Sequence, residues 1–328
     1  MIKSTYSKAI YSGFDYLLEK YPEVFIIGQG LWSPWYVGNT MNDFDKKYGT
    51  TRIIDTPVSE SACTGAAVGA SLCGMKPIIV HPRMDFMLYS MDAIVNQAAK
   101  WSYMFGGNSN ASVTIRAIIN RGGSQGAQHS QSLHSWFAHI PGLRVVMPST
   151  VQDARDLLIA AVLCPDPVIY IDDRWLYEIE EEIEPIIEKS IDEFTPKCIN
   201  QGNDITIVGN SYSTFLANQL KTNLLDKENI NAEIIDIRSI NPLKISIIEK
   251  SVRKTKRLLV IDGGWKSCGL ASEIITSVVE RVPVNLLKSP PKRITLPNAP
   301  APSSHIHEEI YYPDLDYILF ETMKNFFC

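Results

Sequence analysis

The chain reads as an α/β protein of two doubly wound domains. Three observations predict it. Short apolar runs of strand length alternate with helical segments along the whole sequence. The alternation breaks once, in an acidic stretch around Pro185, and then restarts. The 328 residues also exceed the usual size of one hydrophobic core.

Taken in order, Tyr6, Ala9, Ile10, Gly13, Phe14 and Leu17 recur at helical spacing and Pro22 closes that helix. A buried strand, Val24-Phe25-Ile26-Ile27-Gly28, follows. Ile53-Ile54-Asp55 then reads as a short strand, Pro57 as a turn and Glu60 as the start of a helix. The Glu60 carboxylate thereby falls in the first helical turn, beside unpaired backbone N–H groups, aimed at a cleft. Gly65, Ala66, Ala67, Gly69, Ala70, Ser71 and Gly74 leave the helix little bulk, so another backbone or a flat ligand approaches closely. That suits a cofactor site between subunits. The helix macrodipole alone also favours this glutamate, and small residues also serve plain packing.

Further strands are expected at Pro77-Ile78-Ile79-Val80, Val113-Thr114-Ile115-Arg116-Ala117-Ile118-Ile119, Val145-Val146 and Pro167-Val168-Ile169-Tyr170-Ile171, which implies a mainly parallel sheet. Between them lies Arg121-Gly122-Gly123-Ser124-Gln125-Gly126-Ala127-Gln128-His129-Ser130-Gln131-Ser132, either a simple loop or a catalytic element built around His129.

Glu178, Glu180, Glu181, Glu182, Glu184 and Glu188 crowd together next, a composition that reads as a solvated linker. The expected domains are therefore residues 1–176, an acidic linker at 177–202, and 203–328. In the second domain strands are expected at Ile205-Thr206-Ile207-Val208, Ala232-Glu233-Ile234-Ile235-Asp236-Ile237, Leu258-Leu259-Val260-Ile261 and Val284-Asn285-Leu286-Leu287. Helices are expected from about Tyr212, near Ile247 and from about Leu270. Gly209-Asn210-Ser211 and Gly263-Gly264 read as ordinary turns or as anion holders at helix starts.

Composition narrows the function. A net charge of −5 gives no case for nucleic acid or an anionic membrane. Cys63, Cys73, Cys164, Cys198, Cys268 and Cys328 show no zinc spacing and read as reduced thiols, so no metal site is expected within the chain. Neither a secretory leader nor an apolar run of membrane-spanning length is seen, and the expected location is cytoplasmic. A Walker loop and a strand-borne GxGxxG are missing too.

Together the ordered motifs resemble the beta subunit of the thiamine diphosphate-dependent first component of 2-oxo acid dehydrogenases, of the pyruvate, branched-chain and acetoin type, within the transketolase-like enzymes. They are Asp55-Thr56-Pro57-Val58-Ser59-Glu60, Gly65-Ala66-Ala67-Val68-Gly69-Ala70, Asn96-Gln97-Ala98-Ala99-Lys100, Gln128-His129-Ser130-Gln131-Ser132, His139-Ile140-Pro141-Gly142-Leu143, Val146-Met147-Pro148-Ser149, Ile237-Arg238-Ser239-Ile240-Asn241-Pro242-Leu243 and Gly263-Gly264-Trp265. The resemblance implies a pyrimidine-binding domain followed by a transketolase carboxy-terminal domain. It implies that Glu60 hydrogen-bonds the aminopyrimidine ring nitrogen, that Phe86 packs on the pyrimidine, and that His129 serves the reacting end of the cofactor. It further implies that an alpha-type subunit holds the diphosphate and magnesium, since no Gly-Asp-Gly occurs here. The expected assembly is an alpha-two beta-two heterotetramer, with a lipoyl acyltransferase as a further partner.

Four departures from the family pattern stand out. An acidic residue common after the first strand is replaced in Gly28-Gln29-Gly30-Leu31-Trp32, and Cys164 stands where an aspartate often marks a monovalent-cation site. Arg83, in Val80-His81-Pro82-Arg83, and His134 are unusual as well, and both are expected to recognise an anionic or hydroxylated substrate. The leading expectation is a 2-oxo acid decarboxylase or dehydrogenase. The alternatives are half of a two-chain transketolase-like ketol transferase acting in sugar metabolism, and a scaffold that has kept the fold alone.

Overall fold

A computed structural model describes residues 2–33 and 35–327. It divides into two compact units, Met1–Asn120 with Trp136–Phe194, and Arg121–Ser135 with Thr195–Cys328.

Residues 2–81 form β1 (Ile2–Thr5), α1 (Tyr6–Lys20), β2 (Val24–Gly28), α2 (Phe44–Tyr48), β3 (Ile53–Asp55), α3 (Glu60–Leu72) and β4 (Lys76–His81). Beyond two short helical turns, Met84–Ser90 and Asp92–Ala98, come α4 (Ala99–Met104), β5 (Thr114–Ile119) and α5 (His134–Ala138). β6 (Arg144–Val146), α6 (Val151–Leu163), β7 (Val168–Asp173) and β8 (Glu180–Ile183) follow.

In the first unit the strands run β6-β7-β5-β4-β2-β3, each pair parallel. Every residue of β5 and β7 is buried, as expected of parallel strands covered on both faces. The side chain of Thr5 caps α1 by accepting the Lys8 N–H, and the predicted stripe from Tyr6 to Leu17 is the buried face of that helix.

The acidic stretch departs from its expected role as a solvated linker. Glu180–Ile183 is the strand β8, paired antiparallel with β1, and Lys3 meets Glu180 at 2.5 Å. Glu181 accepts the Val151 N–H at 3.0 Å, and Glu188 takes bonds from Tyr16, Lys20 and Tyr21. Glu180, Glu181 and Glu188 thus each have a donor on the folded unit, which the one-dimensional charge run conceals.

The second unit contains β9 (Lys197–Asn200), β10 (Ile205–Gly209), α7 (Tyr212–Glu228), β11 (Ala232–Asp236), β12 (Ser239–Asn241) and α8 (Ser246–Thr255). It continues with β13 (Leu258–Trp265), α9 (Leu270–Val279), β14 (Lys292–Leu296), α10 (His305–Tyr311) and α11 (Leu315–Phe326). Its sheet runs β14-β13-β10-β11-β9 and is parallel except for β9. Ile207, Ile234, Leu259, Leu220 and Ile318 are among the side chains that fill its core.

Two expectations fail here. Val284–Leu286 is a 3-10 turn with Val284 exposed, and the last strand is instead β14, whose inward Ile294 and Leu296 alternate with polar neighbours. The Gly263-Gly264 pair lies inside β13 and is no anion cradle. A Cβ on Gly263 would stand 2.8 Å from the Arg121 guanidinium, and one on Gly264 would stand 3.0 Å from the His134 ring.

Among the described residues no helix is long and apolar enough to cross a membrane, and no cluster of His, Cys, Asp or Glu is arranged to hold a metal ion. Cys63, Cys73, Cys164, Cys198 and Cys268 are free thiols, and Cys328 lies outside the described residues.

Candidate active site

In the first unit the carboxy-terminal ends of β2, β3 and β4 open on a narrow cleft. Ligands of open parallel sheets bind at such strand ends. Close backbone approach shapes the floor: a Cβ on Gly28 would lie 2.5 Å from the Val80 carbonyl oxygen, so only glycine lets β2 pass β4 there. Asp55, at the end of β3, accepts the N–H groups of Gly30 and Leu31 at 2.6 and 3.3 Å, which folds the β2 exit loop back over the cleft. Asp55 is the carboxylate that organises that loop.

Glu60 is the first residue of α3, partly buried at the cleft wall, as the strand-turn-helix reading predicts. Phe86 enters the same cleft from the turn Met84–Ser90. Outward, Glu60 and Phe86 also line a wider mouth whose rim includes the exposed Val58 and Tyr89. A carboxyl group and a phenyl ring therefore share one apolar-rimmed space.

Arg83 lines the cleft as well. Its Nη1 donates to the Pro82 carbonyl at 2.9 Å, and its guanidinium carbon stands 6.0 Å from the Tyr36 ring. Burial first, and then the neighbouring Arg174 charge, lowers its pKa from the ordinary arginine value.

Sequence reading passed over His81. The imidazole is buried in the cleft wall with Nε2 3.3 Å from Thr64 Oγ1, and Thr64 donates on to Ser90 at 2.8 Å. Burial pushes the ring down to about 4, so it is neutral at physiological pH. The signal was its place, one residue past an apolar strand end.

His129 and His134 belong to the second unit, in the loop 121–135. His129 is partly buried in a turn closed by its own N–H donating to the Gly126 carbonyl at 3.3 Å. His134 is fully buried, Nδ1 2.9 Å from Ser132 Oγ and Nε2 2.9 Å from Asp262 Oδ1. Burial would raise the Asp262 carboxyl, yet His134 beside it and the N–H groups of Gly264 and Ala271 hold it below its ordinary value. The expected substrate contact of His134 is corrected accordingly: both ring nitrogens are engaged inside the unit, and the residue braces the end of the loop.

Comparison with known proteins fits this geometry. The transketolase pyrimidine-binding domain matches residues 3–179, and the transketolase C-terminal domain matches residues 197–318. The chain is 34% identical over 328 residues to the pyruvate dehydrogenase E1 component subunit beta of Bos taurus, covering 99% of this chain and 91% of the relative. The chain belongs to the family of beta subunits of the first component of 2-oxo acid dehydrogenases. Another member, the beta subunit of the acetoin:2,6-dichlorophenolindophenol oxidoreductase of Cupriavidus necator, is 37% identical, with 97% and 96% of the two chains covered. A solved structure described as a split gene transketolase, an inactive beta4 tetramer, shares the fold with a TM-score of 0.78 at 19% identity, covering 98% and 97%. Within this family Glu60 and Phe86 stand at the strand ends of the domain whose name records pyrimidine binding.

Proposed function

We propose that the chain is the beta-type half of a thiamine diphosphate-dependent 2-oxo acid dehydrogenase. One observation carries the reading: Glu60, in the first turn of α3, shares a cleft with Phe86 at the strand ends of the pyrimidine-binding domain. A flat heterocycle with a hydrogen-bonding edge fits a space offering one carboxyl group and one aromatic face. Bound thiamine diphosphate supplies a nucleophilic thiazolium carbon for decarboxylation of the 2-oxo acid.

This chain's residues hold and orient. Glu60 keeps a proton at the pyrimidine ring nitrogen, Phe86 packs on the ring face, and the apolar rim limits water. His129 moves a proton at the substrate oxygen, and Arg83 pairs with an anionic substrate group. The diphosphate and magnesium are assigned to an alpha-type partner, because the Gly-Asp-Gly motif that holds them in the family does not occur in this sequence. An alpha-two beta-two assembly that passes its acyl group to a lipoyl acyltransferase completes the proposal. The dehydrogenase-type relatives favour this over ketol transfer, for which the solved transketolase offers likeness of fold alone.

The test uses the chain assembled with its alpha-type partner, magnesium and thiamine diphosphate, following hydrogen–deuterium exchange at the thiazolium carbon. Glu60→Gln slows that exchange roughly 100-fold to 10,000-fold, the span typical of losing a placed acid/base group. An unchanged rate in Glu60→Gln assigns the residue to the helix end alone and overturns the reading.

A further inference from the structure

The loop carrying His129 is built from backbone conformations that need outside support. Gly122, Gly123 and Gly126 have φ of 76°, 73° and 76°, and Ser124, which bears a Cβ, has φ of 57°. Non-glycine residues persist in that left-handed region where surrounding contacts over-determine them.

Both ends of the loop are braced within the second unit. Arg121 sits with its guanidinium carbon 6.0 Å from the rings of Tyr212 and Tyr312. At the other end, Ser132, His134 and Asp262 form a buried series, and Ser135 Oγ accepts the Leu270 N–H at 3.0 Å. The middle, with its left-handed residues, meets the segment around α10. A Cβ on Gly126 would lie 3.4 Å from the Ser303 Cβ. Glu308, on the inward face of α10 and 4% exposed, accepts the Ser124 N–H through Oε2 at 2.8 Å.

α10 is itself fixed. Tyr311 Oη donates to the Ala299 carbonyl at 2.8 Å and accepts from Trp265 Nε1 of β13 at 3.0 Å. A carboxylate bonded to an amide N–H is a stronger tie than a neutral acceptor. Among the described residues the other Glu308 oxygen, Oε1, is buried without a hydrogen-bond partner, a penalty that an apolar residue would avoid. The carboxylate thus makes its one hydrogen bond to the strained residue of the loop.

We infer that Glu308 is a positioning residue: through the Ser124 amide it fixes the left-handed turn of residues 122–126 and thereby sets where His129 points. This rests on the proposed role of His129.

The experiment reads loop order and activity separately, on Glu308→Gln and Glu308→Ala. In the intact chain, hydrogen–deuterium exchange of the Ser124 amide is expected to quicken at least tenfold in Glu308→Ala and less in Glu308→Gln, with the exchange of β10 and β13 unchanged. If Glu308→Ala fails to fold, Glu308→Gln carries the test. In the assembled enzyme both variants are expected to lower kcat and keep KM and thiazolium exchange, with glutamine recovering part of the loss. Unchanged Ser124 exchange in both variants overturns the tie itself, whatever His129 does. A loosened loop with unchanged kcat overturns the positioning role while the reading of His129 stands, provided His129→Ala lowers kcat. If His129→Ala leaves kcat intact, the reading of His129 fails and this inference with it.

Discussion

Arg116 and Asp172 face each other from neighbouring strands inside the first unit, both side chains fully buried. Nε and Nη2 of the guanidinium donate to the two carboxylate oxygens at 3.0 and 2.8 Å. Nη1 reaches Thr40 at 2.8 Å, and the Tyr177 hydroxyl donates to the same carboxylate at 2.5 Å. Every strong donor and acceptor in this group has a partner, which is the condition under which a buried ion pair is tolerated.

The first prediction follows from that pairing. Asp172→Ala leaves a fully buried guanidinium without its carboxylate and is expected to destabilise the chain by about 3–5 kcal/mol, whereas Arg116→Met combined with Asp172→Leu recovers most of the loss. Urea denaturation measures both. An unfolding midpoint of Asp172→Ala equal to that of the parent chain would contradict the buried-pair account.

Sequence alone made much of this architecture legible, for a physical reason. β2, β4, β5, β7, β10, β11 and β13 are covered on both faces, so their apolar runs announce them. β1, β8, β9 and β14 were not expected, because a partly exposed strand carries charged residues such as Lys3, Glu180 and Lys292 that resemble loop composition. At the site, the position of Glu60 at a helix start was legible from the strand-turn-helix pattern, whereas Phe86 entered through the family resemblance. Asp55 and Glu308 were not legible, since each acts on backbone N–H groups 24 to 184 residues away. His134 misled for the same reason: its partner, Asp262, is distant in sequence and adjacent in space.

A second prediction concerns acid. Burial holds the folded His81 ring down at about 4, against 6.5 for the free side chain. Between those values the unfolded chain binds a proton that the folded chain refuses. The stabilisation is therefore complete above about pH 6.5 and is lost as pH falls toward 4, at about 1.4 kcal/mol per pH unit, or roughly 3 kcal/mol in all. His81→Gln should flatten the dependence of the urea midpoint on pH across this window. A parent chain whose midpoint stays constant from pH 7 to 4.5 would refute it.

The last prediction separates two residues that sequence reasoning had grouped as substrate contacts. Arg83 lines the cleft beside Glu60 and Phe86, so Arg83→Met is expected to lower kcat/KM for an anionic 2-oxo acid roughly tenfold to a hundredfold, the equivalent of about 1.5–3 kcal/mol for a charge-assisted bond. Thiazolium proton exchange should stay at the parent rate, because Glu60 is untouched. His134 is enclosed against Asp262, and His134→Ala leaves that buried carboxylate without its imidazole partner. The expected outcome is a loss of about 1–3 kcal/mol of stability, the cost of removing one partner of a buried hydrogen-bonded group, with the ranking of substrates preserved. Steady-state kinetics of the assembled enzyme on a panel of 2-oxo acids, paired with thermal denaturation of each variant, reads both effects. A changed substrate ranking at full stability in His134→Ala would restore it to the substrate site, and an unchanged ranking in Arg83→Met would remove Arg83 from it.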